Sequence, residues 1–211
     1  MPLHKSKADA NGGWAVWQVT ETAEELWHLL PTEGLYAKEL KLFTGAPKRL
    51  LERLAVRVLL YTCLGKEYEI VYTPNGKPYL ASGRWHISIS HTSGFVAVCW
   101  HSERITGIDI ERSGGKALRL ITRFISPADE RLDTDYPQES ALLYWSAKET
   151  LYKMLSRQEA TDFVEHLHVE PFKVQKEGVL LGYDHRNPRP LYDLEYLLEA
   201  DFALVWCFAI P

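Results

Sequence analysis

The sequence predicts an α+β fold made of two similar halves, an N-terminal half at residues 1–102 and a C-terminal half at 103–211. The 211 residues are 46% hydrophobic and 25% charged, which is ordinary for a globular protein and supplies a sizeable core. Short strand patterns alternate along the chain with two long helix patterns. The apolar runs Phe95–Trp100 and Phe202–Cys207 match closely, and each follows a long helix. This match predicts an internal duplication, although unduplicated α+β proteins also contain helices followed by apolar hairpins.

Periodicity and end signals place the elements of the first part of the chain. Thr22 is expected to cap the first helix and Gly65 to end the second, and Pro74-Asn75-Gly76 predicts a turn. In order, the predicted elements are strand Trp14–Val19, helices Ala23–Leu30 and Lys48–Leu64, and strands Tyr68–Tyr72, Trp85–Ser90, Phe95–Trp100 and Ile105–Glu111.

The second part of the chain repeats this order, with a short helix, a long helix and a series of strands. The predicted elements are helices Ala117–Phe124 and Glu139–Ser156 and strands Val169–Val174, Val179–Tyr183, Leu191–Leu198 and Phe202–Ala209.

Charge and composition exclude several classes of protein. The chain has 24 Lys and Arg against 28 Asp and Glu, whereas nucleic-acid binding usually needs an excess of positive charge. The longest apolar run, Phe202–Ile210, is too short for a membrane-spanning helix, and the polar N-terminus is not expected to be a signal peptide. Cys63, Cys99 and Cys207 lie in apolar surroundings and are expected to be reduced. We therefore expect a cytoplasmic protein without nucleic-acid or membrane partners.

Two carboxylates lie on one face of the predicted strand Gly107–Glu111. Because side chains alternate along a strand, Asp109 and Glu111 face one side, about 7 Å apart, while Ile108 and Ile110 face the other. Hard oxygen ligands at this spacing suit Mg²⁺. An ordinary half-exposed strand with a polar outer face is the alternative.

The second long helix carries a polar cluster opposite its apolar stripe. At about 100° per residue, Ser146, Glu149 and Lys153 share one side, and Leu143, Ala147, Leu151, Met154 and Leu155 form the stripe. As an alternative, Glu149 and Lys153 form an ordinary surface ion pair. The run Ser88–Gly94 offers hydroxyls, His91 and backbone amides to an anion, although such a composition is also good turn chemistry.

Four runs, taken together and in order, resemble the 4'-phosphopantetheinyl transferases, specifically the larger surfactin-synthetase-type members built from two fused halves. The resemblance covers the chain from about Gly76 to Met154. Its motifs are Gly76-Lys77-Pro78, Ser88–His91, Gly107–Glu111 and Trp145–Lys153, of which the last two are the signature pair of the family. The resemblance implies two α+β halves related by pseudo-twofold symmetry, with the ligand cleft at their interface.

The resemblance also implies a reaction. The phosphopantetheine arm of coenzyme A would move to a serine of an acyl or peptidyl carrier protein, leaving 3',5'-ADP. Asp109, Glu111 and Glu149 would hold Mg²⁺ against the pyrophosphate. Asp109, Glu149 and Lys153 are implied as catalytic, with Glu149 as the base and Lys153 stabilising the leaving group. Cation and ammonium charges suit this chemistry because a pyrophosphate repels an incoming nucleophile until it is neutralised. Since both halves lie in one chain, we expect a monomer.

Other residues are implied to bind coenzyme A. Lys77 and Pro78 would lie along the adenine, and Ser90 and His91 near the phosphates. The full implied set is Lys41, Lys48, Lys77, Pro78, Ser90, His91, Lys148 and Lys153. The chain departs from the family pattern at two places: Lys38, Lys41 and Lys48 match the basic residues before the first long helix only loosely, and Asp129 or Glu130 stands where a glutamate is usual.

A basic stripe follows the acidic strand. Lys116, Arg119 and Arg123 are predicted on one helical face, where they would attract an acidic carrier protein or form an ordinary solvated face. Two other functions remain alternatives: a Mg²⁺-dependent hydrolase of a nucleotide-like pyrophosphate, and an inactive module that binds carrier proteins.

Overall fold

The computed structural model describes residues 3–31, 45–126, 131–155 and 161–210, without the side chains of 188–190. The chain is a mixed α+β protein, as the sequence predicts, and it divides into two compact units, Met1–Glu103 and Arg104–Pro211. The duplication, the pseudo-twofold axis and the ligand cleft stay predictions. In the part of the chain that is described, no helix has the length and apolar character needed to span a membrane.

The first unit combines helices with a four-stranded antiparallel sheet and a small two-stranded sheet. Its elements are β1 (Leu3–Ala8), β2 (Gly12–Gln18), α1 (Ala23–His28), α2 (Pro47–Leu64), β3 (Ile70–Tyr72), β4 (Pro78–Leu80), β5 (His86–Thr92) and β6 (Phe95–His101). The larger sheet has the order β1-β2-β6-β5, and β3 pairs with β4. The hydrophobic core of the unit includes side chains of α2, β2 and β6.

Local signals explain the start of α1 and both ends of α2. Thr22 caps α1 through its hydroxyl, which accepts the backbone N–H of Glu25, while the Glu25 carboxylate accepts the backbone N–H of Thr22. Helix α2 begins at Pro47 and ends at Gly65, whose φ of 66° lies in the left-handed region that favours glycine. These observations confirm the predicted cap and the predicted stop.

The second unit is built on a five-stranded antiparallel sheet covered by one long helix. Its elements are β7 (Ile105–Arg112), α3 (Lys116–Arg119), a 3₁₀ turn (Ile121–Arg123), α4 (Pro137–Met154), β8 (Leu167–Val169), β9 (Glu177–Asp184), β10 (Asn187–Leu198) and β11 (Phe202–Ala209). The sheet has the order β7-β11-β10-β9-β8.

Helix α4 packs directly on β7 because β7 carries a glycine at the contact. A Cβ atom on Gly107 would lie 2.6 Å from the carbonyl oxygen of Thr150 and 2.6 Å from Cγ of Met154. Leu143, Ala147 and other apolar side chains of α4 join residues of β8 to β11 in a single core. The long helix therefore lies across the strand that carries Asp109 and Glu111.

Three sequence expectations for these elements are wrong. The predicted helix Ala117–Phe124 breaks at Leu120, whose φ of −106° and ψ of 12° interrupt it between α3 and the 3₁₀ turn. The predicted strand Val169–Val174 stops at Val169, because the backbone N–H of Val174 donates to the Asp133 carboxylate at 3.0 Å rather than to a strand. Strand β1 was missed because it is an edge strand with lysines, which lacks a strong apolar alternation.

Candidate functional site

Strand β7 turns Asp109 and Glu111 towards α4. Ile108 and Ile110 are fully buried on the opposite face, as strand alternation predicts. Asp109 is also buried, with only 4% of its surface exposed, so the alternative of a half-exposed polar strand face is wrong for this residue. A carboxylate in such a position requires a positive partner or strong hydrogen bonds.

Lys153 of α4 supplies that partner. Its ammonium donates to Asp109 Oδ1 at 2.8 Å and to the Ile108 carbonyl oxygen at 2.8 Å. The Lys153 side chain is 23% exposed and that of Asp109 is 5% exposed. Lys153 therefore joins the helix to the strand in a largely buried ion pair, which is a different arrangement from a solvated pair on the helix surface.

Helix α4 is buried on nearly every side, which the apolar stripe alone does not indicate. Ser146, Lys148 and Thr150 are each 0% exposed, as are Leu143 and Ala147 of the stripe. Of the polar cluster, Ser146 is therefore fully buried, whereas Glu149 and Lys153 are only partly buried.

Glu149 lies among these charges, and its environment changes its acidity. Burial raises the pKa of its carboxyl from 4.5 to about 7; the charges of Asp109 and Glu111 raise it too, while Lys153 opposes them. The three carboxylates therefore lie close enough to repel one another. A carboxylate with a pKa near neutrality is suited to accept a proton at physiological pH.

The three carboxylates are candidate ligands for Mg²⁺. Among the described residues, no three His, Cys, Asp or Glu side chains are arranged as a metal-binding group. In this arrangement Asp109 faces Lys153, and Glu111 accepts a hydrogen bond from Trp145. The three side chains nevertheless fit a hard divalent cation, because carboxylate oxygens are the ligands that Mg²⁺ prefers. A bound cation would also offset the repulsion that Asp109 and Glu111 exert on the ionised Glu149.

Lys148, implied by the resemblance to bind the coenzyme, is buried in the second unit. Its ammonium donates to the backbone carbonyl oxygens of Phe124 and, at 2.9 Å, of Phe163. In this structure the side chain therefore ties two loop segments to α4, and its contact with the coenzyme stays a prediction.

The first unit contains a cavity of about 380 Å³ beside α2. Three arginines at successive turns of the helix line it together with His91 and one carboxylate, Glu52. The full lining is Arg49, Glu52, Arg53, Val56, Arg57, Tyr72, Gly76, Pro78, Ile89 and His91. Arginines and a histidine around partly apolar walls suit a ligand that has both an anionic group and a flat ring.

Several charged side chains around this cavity contact one another, a neighbouring ring or the backbone. The Arg53 guanidinium lies over the Tyr72 ring, 4.8 Å from its centroid, and Arg57 donates to the Arg53 carbonyl oxygen at 3.0 Å. Oε1 of Glu52 lies 3.6 Å from His91 Nδ1 and 4.0 Å from Lys48 Nζ.

Only some of the residues predicted to bind the coenzyme line the cavity. Pro78 and His91 line it, and Lys48 contacts its carboxylate. Burial lowers the pKa of the neighbouring Lys77. Ser90 is buried on the opposite face of β5 from His91, because adjacent residues of a strand alternate. Lys38, Lys41, Asp129 and Glu130 lie outside the described residues.

Sequence reasoning missed the three cavity arginines and Trp145. Arg49, Arg53 and Arg57 recur every four residues, so helical periodicity was a sufficient signal for a basic stripe on α2. Trp145 stands in the motif Trp145–Lys153, but its contact with Glu111 joins residues that are 34 positions apart and gives no signal in local periodicity.

A family model matches part of the chain. Residues 105–207 match the family model of the 4'-phosphopantetheinyl transferase superfamily, which supports a transferase activity in general. The matched segment contains β7 and α4, and with them the three carboxylates and Lys153. No curated protein matches the chain.

Proposed function

We propose that the chain is a Mg²⁺-dependent 4'-phosphopantetheinyl transferase of the surfactin-synthetase type. It moves the phosphopantetheine arm of coenzyme A to a serine of an acyl or peptidyl carrier protein and releases 3',5'-ADP. We further propose that it acts in the cytoplasm as a monomer. The observation that carries the proposal is the convergence of Asp109, Glu149 and Lys153 at the contact of β7 with α4, inside the segment that matches the superfamily.

Glu149 serves as the base in this proposal. Its raised pKa suits it to take the proton of the carrier serine near neutral pH. The serine oxygen then forms a bond to the β-phosphorus of coenzyme A, and the bond from that phosphorus to the oxygen of 3',5'-ADP breaks. Lys153 stabilises the negative charge of the departing phosphate, which is the group that gains charge as this bond breaks.

Asp109, Glu111 and Glu149 would hold Mg²⁺. A bound divalent cation neutralises pyrophosphate charge and thereby lowers its repulsion of the nucleophile. The residues of the chain supply carboxylate oxygens for this purpose, and Lys153 keeps Asp109 in place within the fold.

The cavity of the first unit is proposed to take the 3'-phosphoadenosine end of coenzyme A. Its arginines and His91 would bind the 3'-phosphate, while Tyr72 and Pro78 would contact the adenine. Glu52 reduces the positive charge of the cavity but leaves three arginines against one carboxylate.

A single experiment separates this function from its alternatives. The protein is incubated with coenzyme A, Mg²⁺ and an apo carrier protein, and the carrier is weighed by mass spectrometry. A gain of one phosphopantetheine is the expected result. Cleavage of the coenzyme without a carrier adduct would instead identify a pyrophosphate hydrolase, and binding without either product would identify an inactive module.

Variants test whether the carboxylates are responsible. Asp109→Asn and Glu149→Gln should each lower the transfer rate by about a hundredfold or more, because each removes a charge from the reaction centre. Glu139→Gln is a matched control in the exposed first turn of the same helix, and it should transfer at the wild-type rate. Full activity in Asp109→Asn would show that Asp109 has no role in the reaction.

A further inference from the structure

Trp145 makes a specific polar contact with the acidic strand. Its indole Nε1–H donates to Glu111 Oε1 at 2.9 Å, which joins α4 to β7 across 34 residues. An indole has one donor and no acceptor, so this ring can hold a carboxylate but cannot compete with it for a cation.

Two aromatic rings determine where that indole lies. Phe124 packs edge-on against the Trp145 ring, with centroids 5.3 Å apart and planes at 62°. Phe163 packs against the same ring, with centroids 5.5 Å apart and planes at 34°. Such contacts favour a defined ring orientation, and Phe124 is almost completely buried.

Lys148, three residues further along α4, contacts the backbone of both phenylalanines. Its buried ammonium donates to the carbonyl oxygens of Phe124 and Phe163, the same two residues whose rings contact Trp145. A buried ammonium is costly unless it is hydrogen-bonded, so loss of either segment would leave the charge poorly compensated. The lysine thus keeps both phenylalanines next to the indole.

We propose that Trp145 is a positioning residue for Glu111, and that Lys148, Phe124 and Phe163 form a clamp that holds its indole in place. This inference rests on the proposed function, in which Glu111 binds the divalent cation. With Oε1 held by the indole, the carboxylate has a defined orientation and its other oxygen is available as a ligand. Groups that orient metal ligands in this way typically contribute about tenfold to a hundredfold in metal affinity.

The test measures Mn²⁺ affinity directly, apart from catalysis. Mn²⁺ is titrated into wild type and Trp145→Phe, each saturated with coenzyme A, and binding is followed by electron paramagnetic resonance. Trp145→Phe keeps an aromatic ring but lacks the donor, so its Mn²⁺ Kd should rise about tenfold while its Kd for coenzyme A stays within about twofold. An unchanged Mn²⁺ Kd would overturn the proposal.

Trp206→Phe is the matched control. Trp206 is a buried tryptophan of β11 that pairs with Ile108, so it faces the side of the sheet opposite Glu111. Its replacement removes the same atoms and should leave the Mn²⁺ Kd within about twofold of wild type. An equal loss in both variants would assign the effect to general destabilisation and contradict the proposal.

Lys148→Met tests the clamp. It should weaken Mn²⁺ binding in the wild-type background but add nothing in the Trp145→Phe background, because both changes act through the indole. A loss of coenzyme A affinity with unchanged Mn²⁺ affinity would instead support a direct coenzyme contact for Lys148 and overturn the clamp.

A measurement on the metal-free protein separates failure of this inference from failure of the proposed function. The indole ¹H–¹⁵N signal of Trp145 should shift upfield in Glu111→Ala as the hydrogen bond is lost, and an unmoved signal contradicts the contact. If wild type binds neither coenzyme A nor Mn²⁺, the proposed function fails. If it binds both and Trp145→Phe does so equally well, only the positioning role fails.

Discussion

At the scale of single residues, Glu149 shows how a fold changes the chemistry of an ordinary side chain. Burial and the charges of Asp109 and Glu111 outweigh the attraction of Lys153, so the pKa of its carboxyl rises to about 7. A solvated glutamate at the same helix position would remain ionised and would be a weaker base. The proposed catalytic property therefore depends on neighbours from β7.

This shift predicts a pH-dependent stability in the metal-free protein. Because the pKa of Glu149 is 4.5 when unfolded and about 7 when folded, the fold favours the protonated carboxyl. Its ionisation should therefore destabilise wild type progressively as pH rises from about 4.5 to 7, by at most roughly 3 kcal/mol. Glu149→Gln has no such ionisation.

Thermal unfolding in the presence of a chelator checks the prediction. Between pH 5 and pH 8 the Tm of wild type should fall relative to that of Glu149→Gln by about 5 °C or more. Addition of Mg²⁺ should recover more stability at pH 8 than at pH 5, because the cation binds the ionised carboxylates. Parallel Tm curves for the two proteins would show that Glu149 does not titrate in this range.

At the scale of elements, the approach of α4 to β7 determines the geometry of the site. Gly107 allows this approach, and Lys153 and Trp145, about two helical turns apart, then reach Asp109 and Glu111. A change in the distance between the two elements would alter both contacts at once.

Gly107→Ala should therefore affect stability and activity together. Its Cβ would lie 2.6 Å from the Thr150 carbonyl oxygen, which is backbone of α4 and cannot rotate away. We expect a loss of about 1–3 kcal/mol in the free energy of unfolding, measured by chemical denaturation, and a lower transfer rate.

Gly115→Ala provides the comparison for that variant. The nearest atom to a Cβ there is Arg119 Nη1 at 3.6 Å, which is an ordinary contact, and the backbone φ of −79° suits any residue. Its stability should stay within about 0.5 kcal/mol of wild type. Similar losses at both glycines would argue against a special role for the α4 contact.

At the scale of the whole molecule, charge is distributed unevenly. The chain carries a net charge of −4, yet Lys116, Arg119 and Arg123 are all exposed just after the acidic strand. The break at Leu120 means that these residues do not share one continuous helix face, so the predicted stripe becomes a basic patch on α3 and the 3₁₀ turn.

We expect this patch to attract acidic carrier proteins. Arg119→Glu combined with Arg123→Glu should raise the KM for the carrier about tenfold, with little change in the KM for coenzyme A, and the difference should shrink at high salt. The exposed pair Arg104→Glu and Lys176→Glu changes the net charge equally and should leave the carrier KM near wild type. Equal effects from both pairs would show that net charge, rather than the patch, is responsible.

Local chemistry predicted much of the fold. The cap at Thr22 and the stop at Gly65 follow from interactions among residues close in the chain, and the bounds of the last strand, Phe202–Ala209, follow from its continuous apolar run. The strand predicted through Val174 failed because its backbone is bonded by Asp133, 41 positions earlier. Such a partner leaves no trace in local periodicity.

The candidate site, like the fold, was predictable from the sequence only in part. The sequence by itself determined that Asp109 and Glu111 share a strand face and that Glu149 and Lys153 share a helix side, because backbone geometry sets both periods. Only the tertiary structure decided that Lys153 meets Asp109, that Trp145 holds Glu111 and that Lys148 is buried. These contacts depend on how closely a helix packs on a distant strand, and that packing reflects the whole core of the unit rather than any short run of residues.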